Sequence, residues 1–175
     1  MRNFKKLLTF LILFGTFINL HSHNKFSDRK INNLKNQASQ LVEDDKKMTQ
    51  VMIDKVFSFG ELGFQEFETS KYLSSILEEN GFDVEYKISN IPTSWLATWS
   101  NGNGGPIIAL GSDFDGVPST SQYPGVAYEK PVVEGAPGHG EGHNIGLPIV
   151  ITAALSLKKI MIENNINGTL LLWPG

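Results

Sequence analysis

Two imidazoles and a carboxylate stand among glycines in the stretch Pro137-Gly138-His139-Gly140-Glu141-Gly142-His143-Asn144, directly ahead of a long apolar run. Nowhere else in the chain is chemistry so concentrated. Glu141 and His143 flank Gly142, so an extended backbone would send both side chains to the same side, where adjacent groups can reach one ion. A hard oxygen and a borderline imidazole nitrogen suit zinc or a similar divalent cation. Two other readings stay open. Glycines beside a helix start can cradle a phosphate on backbone N–H groups, although this loop lacks the Lys and Ser/Thr of a P-loop. The stretch also reads as an ordinary hydrogen-bonded Gly/His loop.

A second candidate set is Ser112-Asp113-Phe114-Asp115-Gly116-Val117-Pro118, placed at the carboxyl end of the apolar run Pro106 to Gly111. Ligands of open α/β sheets gather at such strand ends, which makes Asp113 and Asp115 suspect. An Asp-x-Asp-Gly sequence is equally ordinary turn chemistry. Calcium is a third option, but no Asp-rich loop closing on Glu follows.

The elements that must position these groups follow from periodicity. Ser27 or Asp28 can cap a long helix with Ile31, Leu34, Leu41, Met48, Met52 and Val56 on its core face, ended by Gly60. Glu61-Leu62-Gly63-Phe64-Gln65-Glu66 forms a turn, with Glu61 and Glu66 as helix-entry and structural groups, into a second helix carrying Tyr72, Leu73, Ile76 and Leu77, and Asn80-Gly81 stops it. Val84 to Ile88 and Trp95 to Trp99 read as strands, and Ile107-Ile108-Ala109-Leu110 as a strand buried on both faces. A long Pro/Gly/Ser-rich loop, Ser119 to Pro137, separates the aspartates from the His/Glu stretch. Asn144 can cap a buried apolar helix with Pro148 in its first turn, and Thr169 to Trp173 form a further buried strand.

With 175 residues, 41% of them hydrophobic, the chain suits one domain or a piece of one. A net charge of -3 leaves no basic footprint for nucleic acid. Arg2, Lys5 and Lys6 precede an apolar run from Leu7 to Leu20 that is too short to span a bilayer and is followed by Ser22, which is the pattern of a signal peptide over residues 1–22. Export to the periplasm or exterior follows, with a membrane anchor if the leader stays uncleaved. Residues 23–47 then form a tether and the start of the first helix. The absence of cysteine excludes disulfides and a lipoprotein anchor.

Taken together, Glu61-Leu62-Gly63-Phe64-Gln65-Glu66, Asp113-Phe114-Asp115-Gly116-Val117-Pro118, Gly138-His139-Gly140-Glu141-Gly142-His143-Asn144 and Trp173-Pro174-Gly175 resemble the aminoacylase/carboxypeptidase family of dinuclear zinc hydrolases. Within it, the likeness is to the amidohydrolases similar to p-aminobenzoyl-glutamate hydrolase, and it runs from about Met48 to Gly175. The resemblance implies an α/β, zinc-exopeptidase-like catalytic domain over residues 48–175, with a mostly parallel central sheet flanked by helices. It implies metal ligands at Glu141 and His143, and a catalytic Asp115 that orients a ligand beside the metals. Asp113 falls where other branches place a metal-binding histidine, and His139 looks like a loop-shaping group behind the ligands. Where this chain has Glu141 the amidohydrolase branch usually has cysteine, an exchange that favours harder ions such as Mn(II).

The cofactor so implied is a pair of divalent ions, zinc by resemblance, with Mn or Co admissible. The substrate implied is a small amide or dipeptide-like molecule of the N-acyl or aminobenzoyl amino acid type, and the complete enzyme is expected to be a homodimer. In the family, a general-base glutamate and further ligands follow the segment resembling Trp173-Pro174-Gly175. The expectation is therefore an inactive amino-terminal piece of an exported hydrolase, or else a non-catalytic binding or assembly module derived from that fold.

Overall fold

The computed structural model describes residues 26–175; the expected leader, residues 1–22, and the first tether residues, His23 among them, lie outside these. Described residues up to Asn33 fall in a unit of their own, and the compact unit Leu34–Gly175 carries the sheet and the candidate site.

The first helix is two. Helix α1 spans Asp28–Asp44 and α2 spans Lys46–Phe59, with Asp45 between them at φ -88°, ψ 2°. Consecutive acidic residues, Glu43-Asp44-Asp45, are poor helix interior there, and the Asp45 carbonyl instead starts α2 by accepting the Thr49 N–H at 3.0 Å. Ser27 caps α1 through Oγ, which accepts the Lys30 N–H at 3.3 Å. The core face expected along α1 is not formed, since none of its residues is buried, whereas α2 buries Met52 and Val56. Gly60 ends α2 in the left-handed region, at φ 54°.

Helix α3 spans Phe67–Glu79, and its amino end is capped from a distance: the two Glu61 carboxylate oxygens accept the N–H groups of Glu68 and Thr69 at 3.0 and 2.9 Å. Four strands follow among the described residues, β1 (Asp83–Tyr86), β2 (Trp95–Asn101), β3 (Ile107–Ser112) and β4 (Gly168–Pro174), with α4 (His143–Glu163) between the last two. Their order in the sheet is β1-β2-β4-β3.

The expected mostly parallel sheet is mixed. Strand β2 pairs antiparallel with both β1 and β4, and only β3 and β4 are parallel, with Leu110 opposite Leu172. The reason lies in the connections: short links join β1 to β2 and β2 to β3, while only α4 supplies the long crossover that a parallel pair requires. Trp95, Ala97, Leu170 and Leu172 face the helices and are buried with Leu73, Leu77, Leu147 and Ile151. Strand β3, expected to be buried on both faces, is an edge strand of this sheet with Ile107 67% exposed.

Helix α4 also starts earlier than expected. Gly142 rather than Asn144 precedes it, no side-chain cap is made, and Asn144 is buried within the first turn. Pro148 consequently sits one turn inside the helix.

Candidate metal centre

Three sequence motifs meet at one crossing of backbone segments. Leu62 bridges Gly116 in parallel, and Val117 bridges Gly138 antiparallel. The Gly116 N–H donates to the Glu61 carbonyl, Val117 and Gly138 exchange N–H···O bonds of 2.8 and 3.1 Å, and the Thr120 hydroxyl donates to the Gly138 carbonyl at 2.8 Å. Glycine is required here because the strands approach too closely for a side chain. A Cβ on Gly116 would lie 3.0 Å from the Glu61 carbonyl oxygen, and one on Gly138 only 2.6 Å from that of Thr120.

This crossing delivers the predicted residues to one place. Asp113 and Asp115 leave the end of β3 on either side of Phe114, which is buried in the core. His143 opens α4, and its Nδ1 lies 2.8 Å from Asp115 Oδ1. On the other ring nitrogen, Nε2 lies 3.3 Å from Glu141 Oε2 and 3.7 Å from Asp113 Oδ2. Glu141 and His143 are therefore neighbours, but not through an extended backbone: Gly142 adopts φ 91°, ψ 18°, a left-handed turn that folds one side chain back on the other.

His139 stands behind this group. Its Nε2 donates to the Val56 carbonyl at 3.0 Å and its ring lies 6.3 Å from that of Phe57. A carbonyl can only accept, so Nε2 carries the proton, and Nδ1 is buried. Burial holds the His139 pKa below the ordinary histidine value, with smaller opposing contributions from backbone partners. His143 is shifted the other way, raised first by its hydrogen bond to Asp115 and then by the charges of Asp115, Asp113 and Glu141, against a smaller burial effect.

Because the Asp115 carboxylate accepts, His143 Nδ1 is protonated and Nε2 presents its lone pair to two further carboxylates. Electron-rich atoms facing one another in this way call for a shared cation, either a proton or a metal ion. Ligands held at about 2.0–2.2 Å around a tetrahedral zinc-type ion stand roughly 3.3–3.6 Å apart. His143 and Glu141 have that separation, and Asp113 is slightly beyond it. Among the described residues, however, no three His, Asp or Glu side chains already converge on one point as a finished metal site. The donor chemistry, an imidazole nitrogen and carboxylate oxygens, suits a divalent ion.

A cavity of about 340 Å³ runs from Asp113, Asp115 and His143 to Phe64, Ile91 and Thr93. Glu66, read from sequence as a helix-entry group, is 3% exposed and binds across the fold: Oε1 accepts the Phe64 N–H at 2.9 Å and Oε2 accepts the Thr93 hydroxyl at 2.8 Å. The helix-entry reading holds, since Glu66 immediately precedes α3, and its bonds to Phe64 and Thr93 add the structural role.

The mixed sheet with its β3-α4-β4 crossover is a fold shared with solved structures. A Bacillus subtilis dinuclear metal-binding peptidase of the M20 family superposes with a TM-score of 0.55 at 23% identity, over 74% of this chain and 35% of that one. A protein described as an aminohydrolase from methicillin-resistant Staphylococcus aureus superposes with a TM-score of 0.66 at 20% identity, over 79% of this chain and 34% of that one. At sequence level, a subunit of the p-aminobenzoyl-glutamate hydrolase of Escherichia coli K12 is 33% identical over 136 residues, 77% of this chain and 28% of that protein. The chain is a homologue of that hydrolase and resembles the amidohydrolase branch of the aminoacylase/carboxypeptidase family. It spans less than a third of the length of this curated relative. No protein-family model matches the chain.

Proposed function

We propose that the chain supplies part of the metal site of an exported, metal-dependent amidohydrolase acting on an N-acyl or aminobenzoyl amino acid, with His143 and Glu141 as ligands and Asp113 as a weaker third. The observation that carries this reading is His143 held between carboxylates on both ring nitrogens. When bound, divalent ions supply Lewis-acid polarisation of the amide carbonyl and acidify a water. Asp115 holds the Nδ1 proton and so aims Nε2 at the ion, a carboxylate–histidine arrangement that raises ligand basicity. His139 fixes the loop by its bond to the Val56 carbonyl. Zinc is the first candidate, and the carboxylate of Glu141 keeps Mn and Co open.

Among the described residues, Asp115, Glu141 and Asp113 face His143, while Glu66 holds Phe64 and Thr93. None of these four is assigned as general base, a role worth ~10²–10⁴-fold in rate. The chain alone is therefore expected to bind a divalent ion without turning over amide. Calorimetric titration of the 175-residue chain with Zn, Mn and Co tests this, and His143→Ala should abolish the binding. No heat of binding in the unaltered chain refutes the site, and chelator-sensitive hydrolysis by pure chain refutes the inactivity.

A second reading, as an assembly module, draws on the outer edge of β3. Pro106 and Ser112 carbonyls bond β4, so by alternation the backbone groups of Ile107, Ala109 and Gly111 point away from it. A concentration-dependent oligomer in size-exclusion chromatography would favour this reading; a monomer at all concentrations would oppose it.

A further inference from the structure

The cavity beside the metal centre is lined by an exposed aromatic residue, Phe64, whose setting points to a role in substrate choice. Phe64 is 70% exposed and sits at φ 63°, a left-handed conformation that a bulky residue adopts only when its surroundings impose it. Glu66 imposes it. Its buried carboxylate accepts the Phe64 N–H at 2.9 Å and anchors to the Thr93 hydroxyl at 2.8 Å. The same turn lies against the site, since a Cβ on Gly63 would stand 3.5 Å from Asp115 Oδ2 and 3.9 Å from Glu66 Oε1. An apolar ring held strained and open to water beside a catalytic cluster contributes little to the core. Its position suits a ligand.

The lining decides which end of an amide that ligand would present. Among the described residues lining the cavity there is no Lys or Arg, and its charged groups other than His143 are the carboxylates Glu66, Asp113 and Asp115. An amino-acid carboxylate would be repelled here, whereas a neutral acyl group meets Phe64 and Ile91. Aromatic rings pack against each other in offset or edge-to-face geometry, which favours an aryl acyl group over a small aliphatic one.

We propose that Phe64, positioned by Glu66, is a specificity-determining residue that receives the neutral aryl acyl side of the amide, with the scissile carbonyl toward His143. This rests on the metal-site reading above. The test uses the 175-residue chain with MnCl₂ or ZnCl₂ and measures equilibrium binding of benzoyl-glycine and acetyl-glycine by NMR titration. Benzoyl-glycine should bind about tenfold more tightly. Phe64→Ala should reduce the ratio to about twofold with metal affinity unchanged, and Phe64→Tyr should restore it. Glu66→Gln should lower the ratio while leaving the ion bound, which a purely structural role for the turn would not predict. Bound metal with equal affinities for the two amides, or a ratio untouched by Phe64→Ala, overturns this inference alone. Absence of metal binding overturns the site reading and this inference with it.

Discussion

Replacing Asp115 by Asn tests the arrangement around His143 most directly, because it keeps the side chain's shape and removes its charge. In the folded chain Asp115 Oδ1 lies 2.8 Å from His143 Nδ1. Loss of a carboxylate that orients a ligating histidine typically weakens metal binding 10–100-fold, or about 1.4–2.8 kcal/mol. The same change should lower the His143 pKa toward its ordinary value, since the Asp115 hydrogen bond is the first cause of its upward shift. A raised folded-state value stabilises the metal-free chain fully below the unfolded value near 6.5, and that contribution is lost as pH rises through the folded value. The stability gap between the unaltered chain and the variant therefore opens on the acid side and closes in alkali. The side chains are 29% and 37% exposed, so solvent screening limits the gap to about 1 kcal/mol or less. Calorimetry with Zn or Co reads the affinity, NMR of the imidazole reads the pKa, and urea unfolding at pH 5.5 and 8.5, two values chosen roughly to straddle the shift, reads the gap. A variant that binds the ion within about twofold of the unaltered chain, with an unmoved His143 pKa, refutes the orienting role of Asp115.

Further outcomes follow from the same geometry. Gly138→Ala forces a methyl to within 2.6 Å of the Thr120 carbonyl oxygen, which should cost about 1–3 kcal/mol and lower the melting temperature by roughly 2–12 °C in a circular-dichroism melt. Ion affinity should fall with it, because this segment leads into Glu141 and His143. Glu61→Ala removes both acceptors at the amino end of α3 and should cost about 1–2 kcal/mol in urea unfolding, without change in ion affinity. Ion affinity should fall about tenfold per pH unit once pH drops below the raised His143 value, with proton release on binding measurable in weakly buffered solution.

Much of the candidate site was legible because its imidazoles and carboxylates are concentrated in two short stretches, and the structure adds what their glycines do. Gly116 and Gly138 mark a crossing where a Cβ would strike a carbonyl oxygen, and the chemistry-bearing residues lie within a few positions of each. Strand direction left no comparable mark. An apolar run such as Ile107-Ile108-Ala109-Leu110 reads the same in either orientation and whether or not a neighbour covers it, so the mixed sheet and the exposed Ile107 had to come from the coordinates. The helix-entry and structural role of Glu66 was legible, but its distant partner was not. The use of a buried carboxylate depends on its partner, and Thr93 lies 27 positions away with no pattern connecting the two.

The contrast between the two halves of the cluster shows which local rules carry over. Asp113, Phe114 and Asp115 continue the alternation of β3, so Phe114 enters the core and both aspartates emerge toward His143. Alternation also brought Glu141 and His143 together on paper, but the fold achieves the meeting through Gly142 at φ 91°. Only glycine adopts that angle without strain, and α4 begins at the next residue, so the residue that made the extended reading attractive is the one that replaces it with a turn. A side chain at position 142 would therefore separate Glu141 from His143 even though every candidate ligand remained in the sequence.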